Sequence, residues 1–470
     1  MSWGEFFHIS FIVSFGYFLA VNAYQIVVLL ASYLEHRFRV KQEGCENFDI
    51  VRASEFTIPV SVLIPAYNEE NLITDTVLSV LKNGYPNFEI IVVNDGSKDS
   101  TLERLKTDFK LERVTLFYRH SIPTELIRGI FRSREYPNLI VIDKVNGETH
   151  ADATNAGVNL ARYRYILTLD ADTILEKGAI LKAVRLALRN PREVVGVGSL
   201  IGISNGFDIR KGEIRRHRVN GGILVNLQVL EYLRAFLINR LGWSRGNFNM
   251  CVSGAFSLWR RDLIVEMGGF RRDFSCDDME MTYRVHHHFR NKKIAYQILS
   301  LPDPVAWTEA PSKTYSLYLQ RHRWQRVTNE AAYHYRNMLL NPRFGTVGWL
   351  GMPYMWFAEV IGPWIELFSY LLIPLGWAFG ELSFEQLGLF LMCSAGLSWT
   401  FSLVSLMMFD SAYPVFRLGD IFRLSIVGAA EFLGFRQILS ISRFMGTLAS
   451  FSGYKGWDKF DREKRVASAA

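Results

Sequence analysis

The chain has 470 residues, of which 49% are hydrophobic, 14% aromatic and 21% charged, and its formal net charge is +7 with a pI near 9.1. Charged residues fall below the roughly 25% typical of soluble domains, and the mean hydropathy of +0.08 is on the apolar side of zero. Disorder, collagen-like repeats and a small disulfide scaffold are excluded, and the length allows about two to four ordinary domains.

Ile9 to Leu34 runs without one charged side chain. At about 1.5 Å per residue it is long enough for a hydrocarbon layer of roughly 30 Å, and too long for the core of a cleaved signal peptide. Arg37, Arg39 and Lys41 follow it and Glu5 precedes it, so the positive-inside bias places the next segment in the cytoplasm. Residues 1–50 are therefore expected to be an anchor and linker. The basic excess collects beside apolar spans, as orientation and anionic lipid require, and no zinc-finger spacing or RNA-binding motif accompanies it; nucleic acid is not an expected partner, membrane lipids are. Cys45, Cys251, Cys276 and Cys393 form no CxxC pair and read as free thiols.

From 57 to 336 apolar runs alternate with helical spacing. Val60 to Ala66 and Phe88 to Ser97, the latter ending in turn residues, predict buried strands, Asn71 to Asn83 a helix, and Tyr165 to Thr173 a strand running into acidic residues. The alternation predicts an α/β fold, a doubly wound, mostly parallel sheet, in which ligands bind beyond the carboxyl ends of the strands. Tyr67, Asn68, Glu69, Asp95, Asp170 and Asp172 all fall there. His120 to Tyr136, with Arg128, Arg132 and Arg134, reads as an insertion forming a surface helix, or else a membrane or partner contact.

Three clusters carry chemistry. Asp170 and Asp172, two apart where a strand ends, offer hard oxygen ligands suited to Mg²⁺ or Mn²⁺ held together with substrate phosphates; a lone D-x-D is otherwise a solvated loop. Asp277, Asp278 and Glu280 are packed closely enough for one carboxylate to serve as a base, or simply favour a helix N-terminus. Gln320, Arg323 and Trp324 combine a diphosphate-binding guanidinium with a ring able to stack on a sugar, although an amphipathic juxtamembrane helix has the same composition. His286-His287-His288 cannot all face one ion, since consecutive helical positions point about 100° apart.

Beyond 336 the chain turns apolar again. Val360 to Gly380 and Leu387 to Phe409 have spanning length, and Leu424 to Tyr454, interrupted by Glu431, Arg436 and Arg443, reads as a third span, a re-entrant piece or an interfacial helix. Residues 337–451 are thus expected to be interfacial and transmembrane helices, and 452–470 a basic cytoplasmic tail. Aromatic residues between Trp349 and Trp377 suit an interfacial belt or a sugar channel, and Glu366 and Glu431 are candidates for a polymer or ion path.

In order and spacing, IPAYNEE (Ile64 to Glu70), NDGSKDST (Asn94 to Thr101), ADATNAG (Ala151 to Gly157), DAD (170–172), SGA (Ser253 to Ala255), GGF (268–270), DDMEM (277–281), TEAP (Thr308 to Pro311) and QRHRW (320–324) resemble a membrane-embedded family 2 glycosyltransferase with a GT-A nucleotide-sugar domain. The likeness is to processive synthases of poly-N-acetylglucosamine, hyaluronan, chitin and cellulose. It implies an inverting, UDP-sugar-dependent hexosyltransferase of the plasma (inner) membrane that extends a β-linked polysaccharide, coupled or not to export. Transfer of one sugar to a lipid acceptor is the alternative, and an accessory membrane subunit is left open. By the same resemblance Ala66, Tyr67, Glu69 and Asp95 hold the nucleoside, and Asp152 and Asp170 the nucleotide-sugar. Asp172 and Asp170 hold Mg²⁺ or Mn²⁺, Asp278 is the base, and Gln320, Arg323 and Trp324 serve diphosphate and acceptor. Two departures stand out. Cys276-Asp277-Asp278 replaces the family's TED or EED, and NGETHADATN replaces NGGKADALN, with His150 where a phosphate-binding lysine is expected.

Overall fold

The computed structural model describes residues 2–43, 57–219 and 222–451. Cys45 and the basic tail from Lys455 lie outside them. The described residues divide into two compact units, one within Arg39–Arg218 and Cys251–Glu309, the other within Met1–Phe38, Val219–Met250 and Ala310–Asp461. The α/β unit is therefore narrower than the expected 57–336: residues 219–250 and 310–336 cluster with the apolar helices.

The chain opens on α1 (Trp3–Glu43), the expected first span, and then enters the α/β unit. Its elements are β1 (Val60–Ala66), α2 (Ile73–Leu81), β2 (Phe88–Asn94), α3 (Thr101–Asp108), β3 (Leu111–Val114), β4 (Ile127–Ser133), β5 (Leu139–Lys144), α4 (His150–Leu160), β6 (Tyr165–Thr168), β7 (Ile174–Leu175), α5 (Ala179–Leu188) and β8 (Val194–Ile203). A hairpin of β9 (Asp208–Arg210) and β10 (Glu213–Arg216) follows. The chain leaves for α6 (Gly222–Leu233) and returns to give β11 (Ser257–Arg260), α7 (Asp277–Lys292) and β12 (Gln297–Thr308).

Ten strands form one sheet in the order β3-β4-β5-β2-β1-β6-β11-β8-β12-β7. Its centre, β5-β2-β1-β6, is parallel, as expected from runs such as VSVLIPA and YILT, which are buried along their whole length. Antiparallel β3, β4, β7 and β11 make the whole sheet mixed. The stretch expected to be a surface helix is where the pattern misleads. Residues Ile127–Ser133 form β4 because pairing with β3 and β5 satisfies the backbone on both edges; Ile130 and Ser133 are buried on opposite faces, while Arg128 is exposed and Arg132 half-buried. Along β8 the glycines at 196 and 202 leave room for the Trp259 and Trp307 rings, which a Cβ at either position would overlap.

The helical unit contains, after α1 and α6, α8 (Thr314–His334), α9 (Val347–Ala378), α10 (Phe384–Ala412), α11 (Leu418–Phe432) and α12 (Phe435–Phe451). Among the described residues α1, α9 and α10 are long and apolar enough to cross a membrane, and α11 and α12 form a pair bent by 56°. The bend falls at Gly434, whose φ of 105° an L side chain rarely adopts. Both carboxylates of these apolar stretches, Glu366 and Glu431, are paired. Glu431 accepts from Arg234 through both guanidinium nitrogens at 2.6 Å and bridges Arg436 at 2.9 Å; Glu366 accepts from Tyr17 at 3.2 Å and Ser440 at 3.1 Å. Tyr354, in the aromatic stretch of α9, is buried and stacks on Tyr24 with centroids 4.6 Å apart.

Candidate active site

Because β1, β2, β5 and β6 run parallel, their carboxyl ends share one edge, and the polar residues that follow each strand are gathered without any long-range device. The YNEE and DGSKDST segments interlock there. Asn68 N donates to Ser97 Oγ at 3.0 Å, Lys98 N to Asn68 Oδ1 at 2.8 Å, Glu69 N to Thr101 Oγ1 at 2.8 Å and Ser100 N to Glu70 Oε2 at 3.0 Å. Ala66 is buried, and its carbonyl accepts from Asp95 N at 2.9 Å, while Tyr67 and Glu69 remain half-buried at the rim.

Asp95 and Asp152 are joined by a residue that inspection of motifs had passed over. Lys144, the last residue of β5, is wholly buried, with its Nζ 2.5 Å from Asp95 Oδ1 and 2.6 Å from Asp152 Oδ2. Gly147 N also donates to Asp95 Oδ1 at 3.0 Å. Asp152 further takes Arg272 Nε at 3.2 Å and the Glu125 amide at 3.2 Å, so its buried charge is compensated on two sides. The sign that could have found Lys144 is a cation closing the apolar run LIVI just after Asp143, where burial without a counter-charge is too costly. Asp152 lies in the first turn of α4, whose N-cap Thr149 accepts from the Asp152 amide at 3.2 Å.

A second linkage joins the DAD turn to the DDMEM helix start. His150 Nδ1 lies 2.9 Å from Asp277 Oδ2, and its Nε2 lies 3.7 Å from Asp170 Oδ1. Burial opposes a charged imidazole here, but Asp277, with Asp170 and Asp278 beyond it, raises the His150 pKa to about 9. The carboxylates around His150 thus favour its charged form. Burial likewise opposes the Asp277 carboxylate, and the adjacent His150 outweighs it, so the Asp277 pKa falls below the ordinary value.

Asp278 is held differently. Its Oδ2 accepts from Gly254 N at 2.8 Å, and its Oδ1 from Met279 N at 2.6 Å and Cys276 Sγ at 2.7 Å. The SGA and DDMEM motifs thereby form one structure. The loop leading to it is clamped in turn by Asn155 of ADATNAG, which donates to the Phe270 carbonyl and accepts from the Phe270 amide, both at 2.8 Å. Gly269 has φ +85°, and a Cβ there would lie 2.6 Å from both Asn155 Oδ1 and an Ile122 methyl. Gly269→Ala should therefore cost about 1–3 kcal/mol through strain and overpacking. The expected readout is a lower thermal unfolding midpoint of the purified protein.

Asp172 is buried and Asp170 half-buried directly after β6. Among the described residues no three His, Cys, Asp or Glu side chains converge as a protein-only metal centre would require. Two carboxylates without a third protein ligand fit a hard divalent ion that completes its shell with phosphate and water. The three adjacent histidines do diverge: His286 meets Tyr296 at 2.6 Å, while His288 lies 3.5 Å from Glu266.

Gln320, Arg323 and Trp324 lie on α8 in the helical unit. There Arg321, absent from the candidate set, organises the segment. It donates to Gln320 Oε1 at 2.6 Å, pairs with Glu231 of α6 at 2.7 Å and stacks 4.1 Å from the centroid of the Trp324 ring.

A family profile described as Glycosyl transferase family 2 matches residues 61–265, and one described as Glycosyl transferase family group 2 matches residues 165–412, more than half of the chain. Among curated proteins, a poly-beta-1,6-N-acetyl-D-glucosamine synthase of Staphylococcus epidermidis is 27% identical over 294 residues, 62% of this chain and 60% of that protein. The protein of the same description from Staphylococcus aureus is 26% identical over 324 residues, 68% of this chain and 65% of that one. The match thus spans less than two thirds of these relatives' length. Among solved structures, the mannosyltransferase of Pyrobaculum calidifontis in complex with GDP-mannose and Mn²⁺ aligns with a TM-score of 0.51 at 18% identity, over 88% of this chain and 99% of that one, a likeness of fold.

Proposed function

Because the chain belongs to glycosyl transferase family group 2, we propose that it is an inverting synthase that transfers a sugar from a UDP-sugar to the end of a growing β-linked polysaccharide at the plasma membrane. The observation that carries this reading is the Asp278 carboxylate, oriented through both oxygens by Gly254 N and Met279 N, on the helix start that His150 ties to Asp170. An inverting displacement needs one positioned base and a stabilised leaving group, and no covalent nucleophile.

In this reading Asp278 takes the proton of the acceptor hydroxyl as that oxygen attacks the anomeric carbon. Ala66, Tyr67, Glu69 and Asp95 hold the nucleoside. Asp152 acts on the site through Lys144, which fixes Asp95. Asp172 and Asp170 would hold Mg²⁺ or Mn²⁺, whose charge stabilises the departing diphosphate. A protonated His150 would place a second positive charge beside Asp170, in the role that the family's lysine implied. Gln320, Arg323 and Trp324 serve the diphosphate and the terminal acceptor sugar. Arg37, Arg39 and Lys41, at the C-terminal end of α1, favour a cytoplasmic catalytic unit.

Purified membranes incubated with radiolabelled UDP-N-acetylglucosamine or UDP-glucose, with Mg²⁺ or Mn²⁺ and no added acceptor, test the proposal. High-mass labelled product is expected, and chelation with EDTA should abolish its formation. Label recovered in lipid would favour the single-transfer alternative, and UDP binding without any transfer would remove the synthase reading.

A further inference from the structure

Within the helical unit, α8 and α12 meet along matched stripes. Arg443, Gly446, Thr447 and Ser450 recur at the three- and four-residue steps that share one helix face, and His322, Gln325 and Asn329 do the same on α8. Gly446 marks the closest approach. A Cβ there would lie 2.5 Å from the His322 carbonyl oxygen and 2.9 Å from Gln325 Cβ, inside any distance real side chains adopt, and the first of these obstacles is backbone. His322 is the middle residue of the QRHRW segment, so α12 abuts that segment itself.

One turn earlier, Arg443 supplies direction. Its Nε donates to Gln325 Oε1 at 3.0 Å, and its Nη2 donates to the Glu359 carboxylate at 2.8 Å and the Ala358 carbonyl at 3.2 Å. Gln325 Nε2 in turn donates to the Glu359 carbonyl at 2.6 Å and to Asn329 Oδ1 at 3.0 Å. One turn later Asn329 Nδ2 donates to Ser450 Oγ at 3.2 Å. Apolar packing alone tolerates sliding between helices, but a planar guanidinium shared by an amide and a carboxylate does not, because a shift of register would leave buried charge unpaired.

The geometry points to α12 as the element that positions the Gln320–Trp324 segment for transfer, Gly446 setting the separation of the two helices and Arg443 their register. This rests on the function proposed above. Both are positioning residues, acting through α8, and the bend at Gly434 gives α12 an orientation of its own.

The test uses the full chain in lipid nanodiscs with UDP-N-acetylglucosamine as donor. Gly446→Val and Arg443→Gln should each lower kcat by roughly tenfold to a hundredfold, the scale of a displacement of about 1 Å at a reacting group. UDP affinity should fall by less than kcat, because the nucleoside residues Ala66, Tyr67, Glu69 and Asp95 lie on other elements and only the diphosphate contacts of the displaced segment are weakened. Arg443→Lys should recover part of kcat, since an ammonium still reaches one of the two acceptors. A cysteine pair, Asn329→Cys with Ser450→Cys, reports helix spacing without activity: its oxidative cross-linking yield should fall when Gly446→Val or Arg443→Gln is added. Wild-type kcat in both variants would overturn the inference, as would a loss of UDP binding as large as the loss of kcat together with a fall in the thermal unfolding midpoint, which marks general unfolding. Were the wild-type chain to transfer no sugar, the functional reading would fail by itself. Cross-linking unchanged by the substitutions would sink the positioning role in either case.

Discussion

Asp278→Asn is expected to lower kcat by about 10²–10⁴-fold, the usual worth of a positioned general base, while UDP affinity stays within about twofold. Asparagine keeps the size of the side chain, and its carbonyl oxygen can still accept a backbone N–H, so the loss reports a missing proton acceptor. The comparison with Asp277→Asn gives the result its meaning. Asp277 is bound to His150 at 2.9 Å, and its lowered pKa marks a carboxylate engaged in that pair, whereas Asp278 is oriented by the Gly254 and Met279 amides. Asp277→Asn should therefore act through the His150 linkage, weakening donor or metal binding more than the chemical step. Steady-state kinetics alongside UDP titration separate the two. Full activity in Asp278→Asn, or a larger loss of kcat in Asp277→Asn, would remove the base assignment from Asp278.

Lys144→Met is expected to be the most damaging substitution for the stability of the α/β unit. The methionine fills much the same volume but leaves Asp95 and Asp152 facing each other without the shared cation, and stranding one side of a buried ion pair costs about 3–5 kcal/mol. Arg272 still compensates one oxygen of Asp152, so the unit should survive in a destabilised form rather than fail to fold. Thermal unfolding of the purified protein in detergent, followed by tryptophan fluorescence, should show a clear fall in midpoint. Adding Asp152→Asn should restore part of it, because one of the two orphaned charges is then removed. UDP affinity should fall in Lys144→Met as well, since Asp95 loses the partner that holds it at the nucleoside site. An unchanged midpoint would show that the triad is not the stabilising element its burial implies.

Much of the molecule was legible in the chain because periodicity and local order are local properties. A run such as VSVLIPA has one polar side chain, Ser61, and is otherwise apolar, so burial on both faces is favoured, and several such runs separated by helical spacing leave a parallel central sheet as the economical packing. The apolar lengths of α1, α9 and α10 follow equally directly from the thickness of a bilayer. What the periodicity could not reach was partnership. IRGIFRS looks equally like a charged helix or a partly exposed strand, and pairing with β3 and β5 decided between them.

The sequence by itself determined the strand-end placement of Asp95, Asp170 and Asp172, the apolar spans and the family likeness, since each depends only on residues close together in the chain. The tertiary structure alone decided that Asp277 and Asp170 flank His150 and favour its charged form, that Lys144 unites Asp95 with Asp152, that the SGA amide holds Asp278, and that Gly446 lies on His322. Charge state and hydrogen-bond direction depend on what stands within a few ångströms. In a folded chain those neighbours come from segments more than a hundred positions away as readily as from the next turn.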